Sequence, residues 1–408
     1  MRTRPVPALP SPFVNLLMLL SIMLLAACGG DASDAGSTAS SKVRGVSDTE
    51  IVIGSHTDLS GPTALIGVAA TNGARMRFEE ANAQGGVHGR QIRFIVEDQQ
   101  YQVPRAIQAV NKLVNRDQVF AILLGLGTPM NNAVLATLTE NNVPNLFPIS
   151  GARSMVDPFR PLQFVARGIY YDEVRAAAKY FIERGATKPC VIYQDTDYGQ
   201  EILDGVRDQV AEMGMELAAV SAHKPTDSEF TSAILRLRGA GCDLVLMGTV
   251  HRDTILIFEA ARKMGWTGVQ WAGNNASYSQ SVADLESGAA EGFSTFVHIA
   301  LVYRDDLNLS PQVAAWWDAY VKRFGANPEY AAIEGYRNAD LAVRALENAG
   351  RDLTPEGLVA GMEALGDVTD LFGNAVSFGP GDHEGVKQSV LSTVVGGRWV
   401  TQEESISY

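Results

Sequence analysis

From Ile51 onward, short apolar runs alternate with longer stretches in which apolar side chains recur every three or four residues. Ile51-Val52-Ile53 predicts a strand. Residues 69–83, with Ala70, Ala74, Met76, Phe78 and Ala81 spaced for one face, predict a helix stopped by Gly85-Gly86. Ile92, Phe94 and Val96 alternate as a second strand. A helix over 104–115, a buried strand over 119–124, a helix over 131–141 and an apolar step at 145–147 complete a first block. A second block repeats the logic: helix 171–184, strand 190–193, helix 200–213, strand 216–220, helix 229–240, strand 243–247, helix 254–264 and strand 269–271. Strands alternating with helices of this length imply βαβ units and parallel sheets, so two such blocks predict an α/β protein with two doubly wound lobes. Beyond Gly292 the pattern is mostly helical, over 311–324, 331–348 and 355–365. Strands 389–395 and 398–401 then form a hairpin turned at Gly396-Gly397. No internal sequence repeat accompanies the two blocks; their similarity is architectural.

The first residues read differently. Arg2 and Arg4 precede an apolar run from Phe13 to Leu25, which ends in Leu25-Ala26-Ala27-Cys28-Gly29. A basic start, an apolar centre and small residues at a cleavage point form an export signal. The run is shorter than the roughly 20 apolar residues of a membrane span. The Leu-Ala-Ala-Cys end resembles a bacterial lipobox, in which Cys28 is acylated and becomes the first mature residue. Residues 1–27 are therefore expected to be a signal peptide, and 28–45, rich in Gly, Ala, Ser and Thr, a tether relaxing to roughly 20–25 Å. That places the body outside the cytoplasm, anchored to a membrane through the Cys28 lipid.

The chain carries a formal charge of −13, and loss of Arg2 and Arg4 with the signal takes it to −15. An acidic surface argues against nucleic acid and anionic lipid as partners. Besides Cys28 only Cys190 and Cys242 remain, each at the start of a predicted strand. A disulfide forms if those strands are neighbours; two buried thiols is the alternative. No G-x-S-x-G, H-E-x-x-H, Walker or C-x-x-C pattern occurs, and the six histidines have no metal-ligand spacing, so no cofactor or metal is expected.

Two strand-end loops carry the candidate chemistry. Gly125-Leu126-Gly127-Thr128-Pro129 lies between a buried strand and a helix, with Thr128 suited to cap the helix and Pro129 to open it. Such a helix start presents free N–H groups to an anion. Ser150-Gly151-Ala152 follows the next strand. In open parallel sheets ligands bind beyond the carboxyl ends of strands, so both loops can face one ligand.

At this point the chain resembles the branched-chain amino-acid (leucine/isoleucine/valine-binding) family of ABC-transporter substrate-binding proteins, which have the type I periplasmic-binding fold. The likeness runs from Val46 to Tyr408. It rests on IGSHTDLSGPTALIG (53–67), FEEANAQGGVHG (78–89), QIRFIVED (91–98), LGLGTP (124–129), VIYQDTDYG (191–199) and EGYRNAD (334–340). The resemblance implies two lobes joined by three crossing segments: 46–166 plus 297–386, and 167–296 plus 387–408. It implies that loops Gly127-Thr128 and Ser150-Gly151 hold a ligand carboxylate, that Tyr198 closes over it, and that Val250, His251 and Asn275 stand at the second lobe's wall. It also implies no enzymatic activity, a monomer, and ABC permease subunits as partners. Where amino-acid binders carry an acid for the ligand ammonium, this chain has Asn274-Asn275, and Ile66 stands where an aromatic covers the ligand. Asp195, Asp197 or Asp253 could substitute; otherwise the ligand is an amide, a urea-like compound or an organic acid without an amine, with His251 and Arg252 suited to an anion. Two rival functions remain at this stage: a sensor ectodomain reporting to a signalling partner, and a lipid-anchored hydrolase pairing Thr128 or Ser150 with His56 or His251.

Overall fold

The computed structural model describes residues 43–407, with side chains through residue 402. The expected signal peptide, Cys28 and most of the expected tether lie outside the described residues. Residues 43–45, grouped with the tether by composition, belong to the body: Val43 packs against the core, and the Gly45 carbonyl accepts from Val52 N–H at 2.8 Å.

The first block builds a five-stranded parallel sheet. Its strands are β1 (Glu50–Thr57), β2 (Gln91–Asp98), β3 (Ala121–Leu123), β4 (Asn145–Leu146) and β5 (Gln163–Phe164), in the order β2-β1-β3-β4-β5. Helices α1 (Ala64–Ala83), α2 (Val103–Asn111) and α3 (Thr128–Glu140) connect them. α2 runs into a π-helical turn over Lys112–Arg116, which accounts for the full length of the predicted helix.

The chain then enters a second sheet. It adds α4 (Tyr170–Glu183), β6 (Pro189–Gln194), α5 (Asp197–Glu212), β7 (Ala219–His223), α6 (Thr231–Gly239), β8 (Leu244–Gly248), α7 (His251–Lys263), β9 (Gln270–Asn274), the short α8 (Gln280–Ala283) and β10 (Ser294–Val297). It leaves for α9 (Pro311–Phe324), α10 (Tyr330–Ala349), α11 (Pro355–Glu363) and the hairpin β11 (Asp367–Thr369) and β12 (Ala375–Ser377). It returns as β13 (Gln388–Val395) and β14 (Arg398–Ser407). The second sheet is ordered β14-β13-β10-β9-β8-β6-β7, parallel from β10 to β7 and antiparallel where β13 joins β10 and β14. The chain thus passes between the sheets three times: after β5, after β10 and before β13.

The helical segment between β10 and β13 belongs with the first sheet. Asp340 of α10 accepts from Arg77 Nε of α1 at 2.7 Å, and Phe372 of the β11–β12 turn stands edge-on to Trp316 of α9. Phe378, just past β12, packs on Phe147 and Phe164 of that sheet. β6 and β8 are neighbours, and Cys190 and Cys242 are joined in a disulfide with their Cα atoms 5.9 Å apart, which decides against free thiols. The strand expected at 216–220 forms three residues later. Its pairing starts at Ala219 opposite Cys190, while Leu217 packs against the helical side of the lobe.

Candidate ligand-binding site

The carboxyl ends of both parallel sheets face one small cavity of about 30 Å³. From the first sheet, the loop after β1 brings Thr63 and Ile66, the loop after β2 brings Tyr101, and the loops after β3 and β4 bring Leu126, Gly127, Thr128 and Ile149. The crossing after β5 brings Arg167 and Tyr170. From the second sheet come Tyr198 after β6, Val250 after β8 and Ala276 after β9. Each wall is therefore a set of strand-end loops, the position at which open α/β sheets bind ligands.

Local chemistry shapes the walls. Asp58, fully buried at the end of β1, accepts from Gly61 N–H at 2.5 Å, from Thr63 N–H at 2.8 Å and from Thr63 Oγ1 at 2.7 Å, and so curls the Leu59-Ser60-Gly61-Pro62 loop toward Thr63. Gly127, at φ 93°, turns the chain into α3. That left-handed backbone favours glycine, and a Cβ there would also crowd the Met130 methyl at 2.2 Å. This corrects the capping expectation. Gly127 is the residue before the helix and Thr128 its first member, and the Thr128 hydroxyl bonds Ser150 Oγ at 2.7 Å instead of capping. That bond sets Ser150 directly behind Thr128. Gly151 sits against the crossing segment: a Cβ would lie 2.2 Å from the Gly168 carbonyl oxygen, and Tyr170 N–H donates to the Gly151 carbonyl at 2.7 Å.

On the opposite wall, the Tyr198 hydroxyl hydrogen-bonds the Thr249 carbonyl and the Asn274 side chain. Burial holds its proton on, raising its pKa well above the usual tyrosine range. His251 begins α7 with its N–H given to the Ala276 carbonyl at 3.0 Å, and burial lowers its imidazole to about 4, so it is neutral at pH 7. Arg252 turns away, donating to the carbonyls of Pro225 and Asp227 and to Asp253 Oδ1 at 2.9 Å. The His251–Arg252 pair thus forms no anion site.

Of the sequence candidates, Gly127, Thr128, Tyr198 and Val250 line the cavity, whereas Ser150, Gly151, His251 and Asn275 stand one layer back. Asn275 is held by Arg167 of the crossing after β5 and by Glu173 of α4. Its Oδ1 accepts from Arg167 Nη1 at 2.6 Å, and its amide donates to Glu173 Oε2 at 3.0 Å.

Arg167 was not among the sequence candidates, although it is central here. It joins Glu334 of α10 through two parallel bonds, Nε to Oε1 at 3.0 Å and Nη2 to Oε2 at 2.6 Å, both side chains being almost fully buried. Burial opposes the guanidinium charge, but the Glu334 carboxylate holds its pKa well above the ordinary value. Burial likewise opposes the Glu334 charge, and Arg167 holds that carboxyl well below its usual range. Glu173, alongside, is pushed by burial up to about 8. Tyr101 was missed as well. It donates across to Gln194 Oε1 at 3.1 Å, and with Tyr170 and Tyr198 it gives the cavity three aromatic walls beside Ile66.

A profile of the periplasmic binding protein family matches residues 50–398. The chain belongs to that family. Among curated members, the Leu/Ile/Val-binding protein homolog 8 of Brucella abortus is 24% identical, over 86% of this chain and 88% of its own length. The fatty acid ABC transporter substrate-binding protein from Thermomonospora curvata superposes with a TM-score of 0.81 at 25% identity, covering 90% of this chain and 95% of its own. A solute-binding protein from R. palustris, solved with benzoate, gives 0.76 at 19% identity, covering 88% and 98%. This periplasmic binding protein shares with them two α/β lobes and a parallel-sheet architecture. Among its described residues no cluster of His, Cys, Asp and Glu could hold a metal ion, and no helix is long and apolar enough to cross a membrane.

Proposed function

We propose that this chain is an extracytoplasmic solute-binding protein that closes two lobes over a small ligand and passes it, chemically unchanged, to an ABC permease. The observation that carries this reading is the cavity walled by strand-end loops of both sheets, with the three crossings beside it. On this reading the lobes are 46–166 plus 297–386, and 167–296 plus 387–408. Ligand contacts made to both lobes at once favour the closed form. Thr128, at the start of α3 and backed by Ser150 from the loop after β4, receives the polar end of the ligand; Tyr198, Val250 and Ala276 meet it from the other lobe. The signal peptide and Cys28 acylation place the monomer on a membrane surface beside its permease.

The Thr128 and Ser150 hydroxyls are bonded to each other, and no histidine is among their partners within the described residues. His56 lies buried with neither ring nitrogen hydrogen-bonded to a protein group. Neither arrangement supports the nucleophile–base pair that a hydrolase requires.

The test is a melting-temperature screen of amino acids, amides and organic acids against the purified chain. A ligand at a hundred times its Kd adds about 2.7 kcal/mol of stability, and chromatography should return it intact. The reading fails if no small solute raises the melting temperature, or if the bound solute is recovered altered.

A further inference from the structure

The lining of the cavity holds free hydrogen-bond donors and no carboxylate. Five backbone carbonyls of the lining already accept a hydrogen bond: Leu126 from Gln99 Nε2, Gly127 from Asn131, Ile149 from Gly127 N–H, Val250 from Thr254 and Ala276 from His251 N–H. On the donor side, the N–H groups of Thr128 and Met130 lie in the first turn of α3, where a helix supplies no acceptor. The Tyr170 hydroxyl accepts from Arg167 Nη1 at 3.2 Å and keeps its own proton to give. Arg167 is the one charged side chain in the lining.

The nearby acids are committed elsewhere. Glu334 is paired with Arg167, Asp58 is consumed by its own loop, and Asp253 accepts from Arg252 and Gln194. Asp197 bonds Asn132 at the rim, and Asp195 is exposed. None of the three acids proposed as substitutes reaches the lining. Glu173 accepts from the Asn275 amide behind the wall and is absent from the lining.

Resting on the capture reading above, we infer that the ligand is an amine-free organic carboxylate with an apolar body. An ionised carboxylate only accepts hydrogen bonds, and an ammonium only donates them. The first matches this lining, whereas the second would be buried where no lining carboxylate can pair its charge. The three tyrosines, Ile66, Ile149 and Val250 supply the surface for the apolar body.

The experiment is calorimetric titration of the purified chain with matched probes that differ only at the α-carbon: leucine against 4-methylpentanoate, and phenylalanine against 3-phenylpropanoate, with 4-methylpentanamide as the neutral control. At least one amine-free acid should bind roughly 10- to 100-fold more tightly than its amino acid, the range set by leaving buried polar groups unmatched. Amino acids binding as tightly as their amine-free counterparts would overturn the inference. So would the amide matching the acid. Binding of none of these probes, while some other solute raises the melting temperature, removes the ligand class and leaves capture standing. Silence toward every solute removes both. A second arm uses Ala276→Asp, which adds a carboxylate to the lining: in a variant that still melts cooperatively, the ratio should move toward the amino acids. An unchanged ratio in that variant counts against the inference.

Discussion

At the scale of single residues, two side chains carry most of what can be tested. Thr128 contributes a buried hydroxyl to the pair with Ser150. Thr128→Val keeps the shape and removes the oxygen. It is expected to weaken binding of a carboxylate ligand by about tenfold, while lowering stability by only about 1 kcal/mol; calorimetry and a denaturant melt read the two effects separately. Glu173 is the second. Burial raises its pKa from 4.5 in the unfolded chain to about 8, so the folded protein binds its proton more tightly. Its contribution to stability is then fully present below pH 4.5 and is lost as pH rises toward 8. Asp253, pushed up by burial to about 7, changes stability in the same direction. Glu173→Gln should therefore match the parent near pH 4.5 and become the more stable protein by pH 8, by a few kcal/mol at most. Paired urea melts across that range check it, and a difference independent of pH would show that Glu173 is ionised when folded.

At the scale of elements, the alternation of apolar runs and amphipathic stretches located most of the helices and the longer strands, because a strand buried on both faces and a helix buried on one leave distinct periodicities. Helix starts were placed late. Thr128, Asp197 and His251 begin their helices several positions before the first periodic apolar residue, since strand-end loops feed polar residues directly into the first turn. That is also why half of the candidate site was missed. Tyr101 and Arg167 follow strands at their carboxyl ends, but β5 is two residues long and left no apolar run to mark Arg167. β10, Ser294-Thr295-Phe296-Val297, is half hydroxyl and gave no signal in a stretch that read as helical. Gly127 and Thr128 were legible from loop chemistry, and Tyr198 and Val250 from the family resemblance; the contact between Asn275 and Arg167 depends on packing between distant segments. The disulfide is the element-level feature with the clearest energetic consequence. It closes a loop of 52 residues across β6 and β8, worth up to about 4 kcal/mol by chain entropy. Cys190→Ala with Cys242→Ala should cost roughly 2–4 kcal/mol in a urea melt, with ligand affinity little changed because neither cysteine lines the cavity.

At the scale of the whole molecule, the two sheets are held by a polar layer at the crossings. Arg167 touches the cavity, Glu334 holds Arg167, and His298, on the crossing after β10, lies 3.7 Å from Glu334. His298 in turn lines a groove of about 760 Å³ on the far side of that layer. One bank of the groove is the β11–β12 hairpin, which packs with the first sheet; the other is β13 and β14 of the second; its floor is the crossings themselves. On the capture reading, in which the lobes turn about the crossings, two cavities on opposite sides of that pivot cannot both widen: the molecule would work as a seesaw, its rearward mouth gaping when the forward one shuts. A bulky side chain lodged in that rear mouth, as in Ser377→Trp, should hinder the forward jaws from reopening. Dissociation of bound solute should slow and apparent affinity rise several-fold, measured by stopped-flow release, though no atom that meets the solute has changed.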